Sequence, residues 1–168
     1  MAILKRLALA ALAALAALPA RAHVAADPAE APAGSYQAIR FRVGHGCGEA
    51  ATTALRIELP AELAQARPQP KPGWTLTLTR DPPPPGGEAR TAAVTWRGEL
   101  PADQFDEFAL LVRLPQAAGP LYFPTVQTCG AEESQWIEIP DPGETGLDHP
   151  APSVRVTPAV ADPNAHHH

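Results

Sequence analysis

Methionine occurs only at position 1, and cysteine only at positions 47 and 129, of a 168-residue chain. Aromatic residues amount to 5%, and no basic run is longer than Lys5-Arg6. With a formal net charge of −5, the chain lacks the clustered Lys and Arg that a nucleic-acid backbone demands. Beyond the N-terminal stretch, no apolar run approaches the ~18 residues of a spanning helix, so nothing is expected to anchor the rest of the chain in a bilayer. Catalytic signatures are missing too. G-x-S-x-G, H-E-x-x-H, G-x-G-x-x-G and Walker-type loops do not occur, so on motifs alone the chain is not an enzyme. Ahead of the terminal run His166-His167-His168 stand only His23, His45 and His149. These are too few for a three-histidine zinc centre unless all of them converge.

Proline and glycine, by contrast, are abundant. The 21 prolines and 12 glycines form close to a fifth of the chain, against an ordinary share of about 12%. Proline removes a backbone donor and breaks helix interiors, which excludes a mostly helical protein. Between the prolines run short segments of alternating polarity. YQAIRFRV (36–43) sets Gln, Ile, Phe and Val against Tyr, Ala and two Arg, and TALRIEL (53–59) puts Leu55, Ile57 and Leu59 on one face. WTLTLT (74–79) and TAAVTW (91–96) flank a Pro-Gly turn as a hairpin, with Trp74 and Trp96 expected in the core. DEFALLVRL (106–114), LYFPTVQT (121–128) and QWIEIP (135–140) complete seven predicted strands. Such spacing predicts an all-β fold, an antiparallel sandwich of immunoglobulin or fibronectin type. The expected organisation is a single domain over residues 23–140, followed by a loose Pro/Asp/Ala-rich tail over 141–168.

Residues 1–22 read as a secretory address rather than structure. Lys5-Arg6 precede the apolar run LALAALAALAAL, and Ala20-Arg21-Ala22 is a small-x-small cleavage site. Cleavage there makes His23 the first residue of an exported chain. Loss of Lys5, Arg6 and Arg21 takes the formal charge from −5 to −8, and the only methionine leaves as well. In an oxidising compartment Cys47 and Cys129 are expected to form a disulfide, bringing the HGC and QTC strand ends together. A two-thiolate metal site is the less favoured alternative, because free thiolates oxidise there.

A histidine that is also the N-terminus offers a metal its α-amine and its ring Nδ1 in one chelate. Nitrogen ligands favour Cu(II), the ion at the top of the divalent affinity order. Without methionine or free thiols the soft ligands for Cu(I) are missing, so copper held by this chain is expected to be cupric; the alternative is that cleavage merely happens to fall before a histidine.

From His23 onward the sequence resembles the YcnI-like family of exported copper-binding domains. The shared segments are HVAADPAEAPAGSYQAIRFRVGHGC, TTALRIELP, PKPGW, FDEF, LYFPTVQTC and QWIEIP, in the family's order over residues 23–140. The resemblance implies a β-sandwich holding one copper in a single-histidine brace: histidine amine and ring, a carboxylate oxygen, and a tryptophan against the metal. His23 carries the brace and Trp136 is the matching tryptophan. The strand pattern independently places Trp136 on the polar face, opposite Ile137 and Ile139. Glu30 is the first candidate for the carboxylate, Glu138 the second, and Glu132 or Glu133 the third; a solvated surface charge is the ordinary fate of any of them. Some relatives carry a C-terminal membrane helix that has no counterpart here, which points to a freely diffusing form.

The function implied is a periplasmic copper chaperone or carrier, with copper and another exported copper protein as partners. A metal-free interaction module and a histidine-brace copper oxidase or monooxygenase are the rivals. The latter would need His45 or His149 to reach His23. Export should yield a mature chain that starts at His23, as read by intact mass; any other start removes the chelate.

Overall fold

The first sheet is built by alternation. In the computed structural model, which describes residues 23–63 and 65–159, β3 (Tyr36–Val43) buries Ile39, Phe41 and Val43 and leaves Arg40 and Arg42 exposed. β3 pairs antiparallel with β1 (Ala25–Asp27) on one side and with β8 (Asp106–Arg113) on the other. β5 (Ala66–Pro68) closes that sheet in the order β1-β3-β8-β5. Ion pairs of Arg40 and Arg42 with Asp27 and Glu107 decorate its outer face, where exposed pairs add little stability.

The second sheet runs β11-β10-β4-β7-β6 and comprises β4 (Thr52–Glu58), β6 (Thr75–Arg80), β7 (Thr91–Leu100), β10 (Thr125–Cys129) and β11 (Glu132–Trp136). The β6–β7 hairpin over the Pro-Gly turn forms as expected. Trp96 is fully buried, and its indole donates to the Gln69 carbonyl at 3.1 Å. Trp74 is half-buried, edge-on to Phe108 at 4.9 Å. The inner faces of both sheets pool Ile39, Phe41, Leu55, Ile57, Val94, Trp96, Phe108 and Leu110 into one core. No helix occurs among the described residues, and none there is long and apolar enough to cross a membrane.

Three sequence expectations need correction. Residues 121–128 are two strands: the chain leaves β9 (Gly119–Tyr122) and switches sheets at Phe123-Pro124 before entering β10. Buried Phe123 holds the crossover, and the Pro124 carbonyl takes the Glu58 N–H at 2.8 Å.

The second correction concerns Trp136. β11 ends there, and the side chain is 7% exposed while Ile137 and Ile139 are 44% and 53% exposed. The polar face assigned to Trp136 is thus the wrong one. Cross-strand register is the reason: Trp136 lies opposite Thr125 and Ser134 opposite Gln127, and directly opposed residues share a face. Thr125 and Gln127 point into the core, so Trp136 does too.

The third concerns the tail. β12 (Ser153–Thr157) is the middle strand of a third sheet, parallel to β2 (Glu30–Pro32) and antiparallel to β9. Val154 and Val156 are buried, so the folded unit reaches past residue 140, and Pro-rich composition concealed a strand. The seven predicted strands become twelve among the described residues, the additions being mostly short edge segments. The expected signal sequence, residues 1–22, and His166–His168 lie outside the described residues.

Cys47 and Cys129 are bridged, with Cα atoms 5.9 Å apart. In the chain-entropy picture a loop of this size is worth about 4.5 kcal/mol. Alkylation without reductant should therefore label neither cysteine; full labelling would contradict the bridge. Each buried methyl deleted costs about 0.5–1.5 kcal/mol, so Val154→Ala should lower the unfolding free energy by about 1–3 kcal/mol in denaturant titration. An unchanged midpoint would mean that β12 adds nothing to the core.

Candidate metal centre

Trp136 forms the floor of the centre. It belongs to the core cluster, and its buried indole Nε1 has no hydrogen-bond partner among the described residues. A buried donor without an acceptor costs about 1–3 kcal/mol, an expense a fold does not usually leave standing at a purely structural position.

Two histidines lie against this indole. His23, half-buried just before β1, has its ring centroid 5.2 Å from that of Trp136 at an interplanar angle of 45°. Val24, next in sequence, is buried in the core, and Ala25 pairs with Arg42. The chain therefore enters the fold directly behind His23. On the same indole sits His149, also at 5.2 Å, tilted by 56°.

His149 is where the sequence reading and the structure part. Its segment looked like loose tail, yet it is tied to the residues that follow Trp136. The His149 N–H donates to Glu138 Oε2 at 2.7 Å, the Glu138 N–H donates to the His149 carbonyl at 3.0 Å, and the Ala151 N–H donates to the Glu138 carbonyl at 2.8 Å. A bridge between Glu138 and Pro150 continues the pairing. The available signal was His-Pro-Ala-Pro before an alternating SVRVT, a strand entry rather than a tail.

The carboxylate candidates separate by position. Glu132 and Glu133 lie opposite Cys129 and Thr128, at the disulfide end of the β10–β11 hairpin. Trp136 is four residues beyond Glu132 and three beyond Glu133, roughly 13 and 10 Å at strand rise, so neither glutamate belongs to this centre. Glu30 is exposed on β2, in register with Arg155. Glu138 is the carboxylate joined to the histidine pair, through the His149 amide. His45 also falls at the disulfide end: Gln127 donates to its carbonyl at 2.9 Å, and its Nδ1 lies 2.6 Å from the Gly46 carbonyl. Among the described residues no group of three or more His, Cys, Asp or Glu is spaced to hold a metal. The side chains set against Trp136 are two imidazoles, those of His23 and His149. Nitrogen-rich sets of this kind suit Cu(II), Ni(II) and Zn(II).

The sequence profile of the family described as a domain of unknown function (DUF1775) matches residues 23–156. The copper-binding protein CutI of Bacillus subtilis (strain 168) is 27% identical over 103 residues, which is 60% of this chain and 47% of that relative. The chain thus spans less than half the length of this curated relative. A crystal structure of an uncharacterized protein from Nocardia farcinica, described as revealing an immunoglobulin-like fold, is 32% identical with a TM-score of 0.66. The match covers 82% of this chain and 99% of that one. The fold is therefore an all-β, immunoglobulin-like sandwich.

Proposed function

We propose, for a chain that belongs to the DUF1775 family, that it binds one Cu(II) at His23 outside the cytoplasm and passes it to another exported protein. The observation that carries this reading is the His23 ring, 5.2 Å from a buried indole whose N–H lacks an acceptor. Similarity to a relative named for copper binding supports the choice of ion. Removal of residues 1–22 frees the His23 amine beside its own ring, and amine plus imidazole form a chelate that needs no third protein nitrogen. The indole N–H is then left to donate to an oxygen that arrives with the ion, from water or a carboxylate. Glu30 is the oxygen donor implied by the family resemblance, and Glu138 competes for that role from its place beside His149. With the cysteines paired and Met1 removed, only hard and borderline donors are left, which favours the cupric ion.

The chain's part in this scheme is binding and release. No catalytic role is assigned to any residue. One observation favours a second reading as a copper oxidase: His149 stands on the same tryptophan as His23. Oxygen uptake by copper-loaded protein given a reductant separates the two, since a carrier leaves oxygen unconsumed beyond the first turnover.

The test uses mature chain with His166, His167 and His168 replaced by alanine, because that run binds copper unaided. One residue added before His23 should weaken Cu(II) binding by more than the roughly 10–100-fold that loss of a supporting partner costs. His23→Ala should do at least as much. Trp136→Phe should alter the copper spectrum while one-to-one binding persists. Equal affinity with the N-terminus free and extended would refute the brace. No binding by either would leave a metal-free interaction module.

A further inference from the structure

We infer that His149 is a second imidazole ligand of the metal centre, held in place by Glu138. The inference rests on the copper reading above and extends it beyond His23, Glu30 and Trp136. Three observations support it. First, the His23 and His149 rings each lie 5.2 Å from the Trp136 ring, so their centroids are no further apart than twice that distance. Both rings therefore pack against one and the same side chain. Second, the His149 backbone is fixed on both sides. Glu138 accepts its N–H through the carboxylate and donates to its carbonyl through the backbone. An exposed loop rich in Pro, Gly and Asp would otherwise leave this ring free to wander, and a ligand needs a fixed origin. Third, the shared indole is buried and its N–H has no partner among the described residues, so the side chain both rings pack against carries an unsatisfied donor.

The chemistry is balanced without any co-reactant: each imidazole donates one nitrogen lone pair, and the α-amine a third. Three nitrogens and an oxygen make the tetragonal set that Cu(II) prefers. His149 also differs from His23 in where it sits on the chain. His23 is fastened to the first strand and the core by Val24, whereas His149 lies exposed in the segment leading to β12. A ligand on the outer segment can detach first, so this arrangement gives a carrier a way to open one coordination position towards an acceptor without losing the chelate.

The experiment uses mature chain with a free His23 amine and alanine at 166–168, loaded with one equivalent of Cu(II). Pulsed electron paramagnetic resonance counts coordinated imidazoles through their remote nitrogens, and competition with a chromophoric chelator reads affinity. Two imidazoles are expected in the parent and one in His149→Ala and His149→Gln, with affinity lowered by about 10–100-fold. Glu138→Ala should fall between parent and His149→Ala, while His45→Ala should match the parent. The thermal melt of the metal-free variants should stay with the parent, since His149 is exposed. One imidazole in the parent, with spectrum and affinity unchanged in His149→Ala, would overturn the inference and leave the His23 reading intact. A parent that binds no copper would overturn both.

Discussion

The structure depends most on β12 lying between β2 and β9. That placement draws the two ends of the folded chain to one side of the sandwich. β2 follows His23 by a few residues and β12 follows His149 by fewer still, and the two strands are hydrogen-bonded in parallel. The Ala33 N–H donates to the Thr157 carbonyl at 2.8 Å and the Arg155 N–H to the Ala29 carbonyl at 2.8 Å, extending the seam at both ends. A parallel pair can be made only by segments joined through a long connection. Here that connection is nearly the entire domain. Proximity of His23 and His149 to one tryptophan is thus a property of the closed fold.

The β10–β11 hairpin divides this arrangement into two ends with different chemistry. At the Gly130 turn, with φ of 65°, stand the disulfide, His45 and the Gln127–Thr52 bond of 2.7 Å. That end is saturated: its polar groups satisfy each other, and its thiols are consumed. At the opposite end stands Trp136 with an unsatisfied donor and two imidazoles. A polar group buried without a partner is tolerated where something else supplies the partner. The hairpin therefore keeps the covalently locked end apart from the end at which the proposed ligand would bind.

Much of the sandwich was legible in the chain itself. β3 and β4 alternate so regularly that burial of Ile39, Phe41, Leu55 and Ile57 follows from period two alone, and the proline-glycine stretch after Arg80 marks the hairpin. Misreadings arose at edges and crossovers. Ile137 and Ile139 are β-branched and apolar, yet they lie beyond the last paired residue of an edge strand. There the register with Thr125, not hydrophobicity, selects which side chains turn inward. SVRVT was hidden by the composition around it. Its strand character depends on β2 and β9, both too short to be recognised without their partner.

By itself the sequence determined the all-β class, the bridge between its only two cysteines, and the chelating potential that His23 would have as a first residue. These follow from local chemistry: proline excludes helices, period two buries one face, and an amine beside an imidazole binds metal. Only the tertiary structure decided that Trp136 is an inward-facing floor, that Glu132 and Glu133 belong to the far end, and that His149 shares the indole with His23. Each of those depends on strand register or on the meeting of segments more than a hundred residues apart, and neither is written in any window of the chain.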